Sequence, residues 1–202
     1  MMDAEQLELA LETLGAVLLD RGLTYDLVAI GGGALLLQEI VHRPTEDIDI
    51  IALADDGAWT YAKPFPKPLE EAIKQVGQAL SLPLEATADK DWLNPGPAIL
   101  LRLGLPDGFE ERLETRRFGG LILRLASRYD FIHLKLWAAT STSRSSRLQV
   151  DMSDLGALEP TRDEWRDAIR WCAKLDGRPD FFEFHAEPVL RRLGVQMEVE
   201  DE

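Results

Sequence analysis

The most constraining part of the sequence lies at residues 29–50 and reads AIGGGALLLQEIVHRPTEDIDI. A short apolar run at 25–30 leads into its three glycines and predicts a buried strand. Residues 34–41 predict a helix that begins at the glycines, and residues 46–53 alternate and then become apolar, which predicts a second strand. The segment therefore predicts a strand, a glycine turn, a helix and another strand in close succession.

Two acidic residues, Asp47 and Asp49, lie on the second predicted strand. Side chains alternate between the faces of a strand, so both carboxylates project from one face while Ile48 projects from the other. Two neighbouring carboxylates repel each other unless water or a cation screens them. A solvated strand edge explains the pair equally simply, but the preceding glycines favour a metal site, because divalent ions such as Mg²⁺ take oxygen ligands and share substrate phosphates.

The three glycines, Gly31, Gly32 and Gly33, supply the complementary half of such a site. A strand that ends in glycines and opens a helix presents free backbone amides to an anion, and the absence of Cβ atoms lets a phosphate come close. Arg43 and Thr45 precede the acids and are expected to contact the same substrate. We expect the phosphates to lie between the glycine turn and a metal ion held by Asp47 and Asp49.

This glycine turn followed by Asp-x-Asp resembles the opening motif of the DNA polymerase beta-like nucleotidyltransferase superfamily. It looks most like the bacterial branch of minimal nucleotidyltransferases, which includes abortive-infection and toxin–antitoxin toxins. The resemblance implies that Gly31 and Gly32 bind nucleotide phosphate and that Asp47 and Asp49 bind magnesium.

A second segment is similar to the toxin-like branch. Residues 129–139 read YDFIHLKLWAA and residues 151–155 read DMSDL, and in that branch a lysine helix precedes an Asp-x-x-Asp-Leu segment. The resemblance implies active-site roles for Lys135 and Asp151. An ammonium in an apolar helix needs a route to water or a counter-charge, so Lys135 is expected to pair with Asp151 or contact phosphates, or else to reach solvent as an ordinary surface lysine.

One departure from the superfamily concerns its third carboxylate, which lies on a later strand and positions the attacking hydroxyl. The runs at 98–103 and 121–125 predict strands but contain Arg102 and Arg124 instead of an acid. Either Asp151 completes the acid set from the helical region, or the chain binds nucleotide without turnover.

The whole pattern predicts an α/β (α+β) fold with a nucleotidyltransferase-like mixed sheet of four to five strands flanked by helices. Residues 1–127 form the predicted core, and residues 128–202 form a helical region packed on it as one continuous domain. The other predicted elements are helices at 4–19, 69–80, 129–139, 152–158, 162–175 and 179–193, a loop at 59–68, a polar break at 140–147 and an acidic tail at 198–202.

Charge and composition limit the partners. A formal net charge of −14 repels polyanions, so broad non-specific binding of nucleic acid is not expected. No apolar run approaches the length of a membrane span, and the acidic N-terminus lacks the character of a signal peptide, so we expect no membrane partner and a cytoplasmic location. The single cysteine, Cys172, is expected to pack as a small apolar residue.

The sequence thus predicts a transferase that uses Mg²⁺, with Mn²⁺ as an alternative, to move a nucleotidyl group from a nucleoside triphosphate to a hydroxyl acceptor. The acceptor is a transfer RNA, a protein or a small molecule, and a toxin–antitoxin or defence role would add a cognate partner protein. The main alternative is a catalytically inactive module that binds nucleotide or protein. A structural helical scaffold with an incidental acidic strand is a third interpretation.

Overall fold

The computed structural model describes residues 1–55, 57–85, 90–141 and 146–197. It has the mixed α/β architecture that the sequence predicts and divides into two compact units, Met1–Ser127 and Arg128–Glu202. Part of the predicted polar break and the whole predicted acidic tail lie outside the described residues. The packing of the helical region on the core stays a prediction.

The first unit contains a mixed sheet, in which β2, β1, β6 and β5 are neighbours in that order and β3 and β4 both pair with β2. In the described part of the chain its six strands are β1 (Tyr25–Ile30), β2 (Ile48–Asp55), β3 (Ala58–Tyr61), β4 (Leu93–Asn94), β5 (Glu114–Phe118) and β6 (Leu121–Leu125). The pairs β1–β6 and β2–β4 are parallel, and the other pairs are antiparallel.

The strands β1 and β2 lie in the interior of this sheet, and their apolar sequences explain why. Leu27, Val28 and Ala29 are completely buried, as are Ile48 and Ile50. Burial on both faces is typical of strands that read as continuous apolar runs. Their antiparallel register shifts at one point, because Val28 is the partner of Ala52 whereas Ala29 is the partner of Ile50. Ile51 is therefore an extra residue in β2, which constitutes a β-bulge.

Helices α1 (Ala4–Asp20), α2 (Gly31–Leu37) and α3 (Lys67–Leu80) contact the sheet or one another in the first unit. The helix α1 begins at a capping box, in which the Asp3 side chain accepts a hydrogen bond from the Gln6 amide at 2.9 Å. Leucines at positions 7, 11, 14 and 18 follow helical spacing and are completely buried. This face lies against β5, β6 and α3, while the short helix α2 packs on β2.

One predicted strand is wrong. The apolar run at 98–103 forms a 3₁₀ turn, Gly96–Ile99, followed by the short helix α4 (Leu100–Leu103). Pro97 has no amide hydrogen for a strand ladder but fits the first turn of a helix. Ile99 and Leu103 are 46% and 49% exposed, so the apolar character of the run does not reflect burial in the sheet.

Three real strands were not predicted. The strand β3 overlaps the beginning of the predicted loop at 59–68, and β4 is only two residues long. The strand β5 reads ETRRF, and its polar sequence lacks the apolar alternation by which strands are recognised. Its position at the end of the strand order explains this, because an edge strand tolerates charged side chains.

The second unit is helical, as predicted. Its helices are α5 (Arg128–Thr140), α6 (Leu148–Leu158), α7 (Arg162–Asp176) and α8 (Glu187–Arg192). The helix α5 contacts both α6 and α7, and Phe131, Ile132 and Leu136 on it are completely buried. The helix predicted at 179–193 is present, and its first part, Phe182–Ala186, is π-helical and continues directly into α8.

Within the described ranges, none of the helices combines the length and the apolar character that crossing a membrane requires.

Candidate active site

The two predicted metal-binding acids stand at the beginning of β2. Asp49 is the second residue of this strand and Asp47 comes directly before it. Both are half-buried, whereas the intervening Ile48 and the following Ile50 are completely buried. This alternation in burial agrees with the prediction that the two carboxylates project from one face while the isoleucines enter the core.

The glycine turn lies directly beside these acids. Because β1 and β2 are antiparallel, the end of β1 meets the beginning of β2, and Ile30 is the cross-strand partner of Asp49. Gly31 follows with a φ of +81°, and a Cβ atom on it would lie 3.1 Å from Cγ of Asp49 and closer still to one carboxylate oxygen. Only glycine combines this backbone conformation with so close an approach.

The next two glycines contact the loop that leads into β2. A Cβ atom on Gly32 would lie 2.9 Å from Nη2 of Arg43 and 3.3 Å from Oγ1 of Thr45. A Cβ atom on Gly33 would lie 2.6 Å from the carbonyl oxygen of Asp47. The glycines therefore permit the turn and the acid-bearing loop to pack closely together, which is a structural requirement separate from phosphate binding.

Thr45 helps to fix this loop. Its hydroxyl donates a hydrogen bond to the carbonyl oxygen of Asp47 at 3.1 Å, and its backbone amide donates to the carbonyl oxygen of Met2 at 2.9 Å. Only 2% of Thr45 is exposed. Thr45 therefore has a clear role in holding the loop, while its predicted contact with substrate stays a prediction.

Arg43 is half-buried and places its guanidinium beside Gly32. A guanidinium is permanently charged and recognises phosphate oxygens through paired N–H donors. The structure thus brings together the guanidinium of Arg43, the glycine turn and the two carboxylates, all contributed by residues 31–49.

A residue that no sequence motif indicates, Asn94, also belongs to this cluster. It lies on β4, where it is the cross-strand partner of Asp49. Its side-chain nitrogen Nδ2 lies 3.4 Å from Oδ2 of Asp47, within hydrogen-bonding distance. The sequence around it shows only a turn signal, Asn-Pro-Gly, so no pattern indicated this contact.

The carboxylates of Asp47 and Asp49 are suitable ligands for a magnesium ion that is bound jointly with substrate. Among the residues that the structure describes, no group of three or more His, Cys, Asp or Glu side chains could hold a metal ion. Magnesium, however, is usually bound through one or two carboxylates together with substrate phosphates and water. Asp47 and Asp49 fit that requirement, because both are carboxylates on one face and neither is fully buried.

Lys135 and Asp151 lie in the second unit, within a buried ion cluster. The ammonium nitrogen of Lys135 lies 2.9 Å from Oδ1 of Asp151 and 2.7 Å from Oδ2 of Asp154. Both acids are 1% exposed. The predicted pairing of Lys135 with Asp151 is present, and Asp154 joins it because residues three apart share one face of a helix. The catalytic roles of Lys135 and Asp151 stay predictions.

The two arginines noted in place of a third acid have other partners. Arg124 forms a two-pronged ion pair with Asp26 on the neighbouring strand, at 2.8 and 2.6 Å, and this hydrogen bonding raises the pKa of the guanidinium above its ordinary value. Arg102 lies over the ring of Tyr61, 4.1 Å from its centroid, in a cation–π contact.

Comparison with known proteins adds one match. A family model described as a nucleotidyltransferase of unknown function, DUF6036, matches residues 5–155. The matched region contains the glycine turn, Asp47 and Asp49, Asn94, Lys135 and Asp151. A search of curated proteins and a search of solved structures each returned no significant match. The polymerase beta-like superfamily and its toxin-like branch stay hypotheses.

Proposed function

We propose that this chain, which belongs to the DUF6036 family of nucleotidyltransferases, moves a nucleotidyl group from a nucleoside triphosphate to a hydroxyl acceptor with the help of Mg²⁺ or Mn²⁺. The observation that supports this most strongly is the contact between Gly31 and the carboxylate of Asp49. A turn able to hold phosphate and a pair of acids able to hold a divalent cation are thereby adjacent.

In the proposed reaction the acceptor oxygen forms a bond to the α-phosphorus, the bond to the leaving pyrophosphate breaks, and the acceptor loses its proton. A bound magnesium ion would neutralise charge on the phosphates. Asp47 and Asp49 would hold that ion. Gly31, Gly32 and Gly33 would receive the triphosphate, and Arg43 beside Gly32 would balance its charge. Such transfer depends mainly on positioning and on charge neutralisation.

The proton of the acceptor requires a base, and the resemblance to the toxin-like branch proposes Asp151 for this role. Lys135 would hold that carboxylate through the 2.9 Å ion pair or contact phosphate. The acceptor class is a transfer RNA, a protein or a small molecule, and the net charge of −14 disfavours acceptors that would be bound only through a polyanionic backbone. We further propose a cytoplasmic role in a toxin–antitoxin or defence pair. The negative net charge of the chain would suit a basic partner protein in such a pair.

One observation favours a second candidate, a module that binds nucleotide without turnover. The strand beside Asp49 carries the neutral amide of Asn94, where a carboxylate would have supplied a third acid next to the pair. In this alternative, nucleotide and metal bind but no product forms.

The decisive experiment compares Asp49→Asn with Asp55→Asn. Asp55 ends the same strand but is exposed, so its substitution tests general charge effects. With labelled nucleotides and candidate acceptors, Asp49→Asn should abolish transfer, whereas Asp55→Asn should retain it; thermal unfolding should show both variants folded. Near-normal transfer by Asp49→Asn would refute the site, and nucleotide binding by calorimetry without any product in the unsubstituted protein would favour the second candidate.

A further inference from the structure

Asn94 occupies a distinctive place beside the acid pair. It is the only asparagine in the sequence, and it is 1% exposed. The two-residue strand β4 pairs in parallel with the beginning of β2, so that Ile48 is the partner of Leu93 and Asp49 the partner of Asn94. This pairing sets the backbone of Asn94 next to the strand that carries the acids.

The orientation of its amide group is determined by its neighbours. The oxygen Oδ1 accepts a hydrogen bond from the backbone amide of Gly96 at 2.8 Å. The nitrogen Nδ2 donates to the carbonyl oxygen of Asp91 at 3.3 Å and to Oδ2 of Asp47 at 3.4 Å. An N–H group cannot accept and an ionised carboxylate cannot donate. The amide nitrogen must therefore face Asp47.

We infer that Asn94 is a positioning residue for the Asp47 carboxylate, which it holds in the orientation that lets Asp47 and Asp49 bind one divalent cation together. This inference rests on the proposed function. Residues that donate hydrogen bonds to metal-ligating carboxylates orient them, and their loss weakens metal affinity about 10- to 100-fold. At 3.4 Å the contact is at the long end of the hydrogen-bond range.

A neutral hydrogen-bond donor at position 94 has an electrostatic advantage over an acidic side chain. A third carboxylate beside Asp47 would add repulsion among like charges, whereas the neutral amide contributes a hydrogen bond and no charge. Because Asn94 is anchored by Gly96 and Asp91 at its other polar contacts, it cannot turn away without breaking those hydrogen bonds. Asp47 thus meets a donor fixed by the backbone of β4 and the turn that follows.

Two substitutions separate this role from a purely structural one. Asn94→Ala removes the amide group, and Asn94→Leu removes its polar atoms but keeps a side chain of similar shape. We expect both variants to bind Mn²⁺ about 10- to 100-fold more weakly, measured by electron paramagnetic resonance of free Mn²⁺, with unfolding transitions that show the fold retained. If either folded variant binds Mn²⁺ as tightly as the unsubstituted protein, the donor role is wrong.

A spectroscopic test uses the uniqueness of Asn94 and does not depend on catalysis. Protein labelled with ¹⁵N-asparagine gives one side-chain amide signal, which can only be that of Asn94. Paramagnetic Mn²⁺ should broaden this signal, and diamagnetic Mg²⁺ should shift it without broadening. Mn²⁺ binding that leaves the signal unchanged would overturn the inference while leaving the proposed function intact. Absence of Mn²⁺ and nucleotide binding altogether would refute the proposed function and the inference with it.

Discussion

Gly31 packs against Asp49 so closely that a Cβ atom on the glycine would lie 3.1 Å from the carboxyl carbon. This contact joins the end of β1 to the beginning of β2 at the point where a phosphate turn and a metal site would have to meet. It also makes the arrangement testable by single substitutions.

The first prediction concerns Gly31→Ala. Gly31 and Gly57 share a φ of +81°, but nothing lies within 4 Å of a Cβ atom on Gly57. Gly57→Ala should therefore lower the free energy of unfolding only by the strain of alanine in a left-handed conformation, about 1–2 kcal/mol. It should retain nucleotide transfer. Gly31→Ala should cost more and should also lose transfer, because it displaces the Asp49 carboxylate. Urea unfolding measures the loss of stability, and a transfer assay measures the loss of activity. Equal losses in the two variants would contradict the close contact between Gly31 and Asp49.

The second prediction concerns the acids paired with Lys135. Asp151→Asn and Asp154→Asn each leave one buried carboxylate with the ammonium, so we expect similar losses of stability, about 1–3 kcal/mol. Only Asp151→Asn should abolish nucleotide transfer if Asp151 acts as the base. A transfer assay on the two variants, normalised for folded protein, decides this. Equal transfer would restrict Asp151 to a structural role.

The third prediction concerns acid stability. Arg128 forms two hydrogen bonds with Glu164, at 2.6 and 3.2 Å, which lower the pKa of that carboxyl. A lowered pKa in the folded state contributes stability above the unfolded pKa, about 4.3, and this stability is lost as the pH falls through the folded pKa. The pair is partly exposed, so its contribution should be about 0.5–1 kcal/mol.

Glu164→Gln tests this, because glutamine can still complete the capping box with Thr161. The difference in free energy of unfolding between the two proteins should be constant near neutral pH and shrink in acid. Asp163→Asn is the matched control, since Asp163 is in the same helical turn and its side chain is 87% exposed. A pH dependence that is the same for both substitutions would contradict the assignment.

The fourth prediction concerns Cys172. It is completely buried, and this burial raises the pKa of its thiol well above its ordinary value. Because the thiolate is the reactive form, iodoacetamide should modify the unfolded protein readily and the folded protein hardly at all. Mass spectrometry with and without urea measures this. Rapid modification of the folded protein would show that the residue is accessible.

The sequence predicted the two strands around the acids well, because they have strong local signals, whereas the helix predicted at 34–41 is observed at Gly31–Leu37. Tyr25–Ile30 was predicted with its observed bounds, since a short apolar run that ends in glycines is characteristic of a buried strand. The alternation at Asp47, Ile48 and Asp49 likewise predicted which side chains enter the core. Both signals lie within a few residues of the feature that they predict.

The features that were missed depend on contacts distant in sequence. The strand β4 has two residues and no periodicity, and it exists because its backbone pairs with Ile48 and Asp49, about 45 residues earlier. Asn94 could therefore be assigned to the site only from the structure. Asp154 is different, since a spacing of three on one helix places it on the same face as Asp151, but the helix predicted at 152–158 leaves Asp151 out.

The extra residue Ile51 in β2 has a consequence for how this site can vary. Cross-strand partners share a face, so Asp49, the partner of Ile30, faces the same side of the sheet as Ala52, the partner of Val28. Deleting Ile51 would leave the pairs Ala29–Ile50 and Ile30–Asp49 in place, whereas regular pairing with every residue retained would turn residue 49 to the opposite face. The chemistry of this site is therefore tied to the register of one strand pair, a property that substitution scanning does not probe.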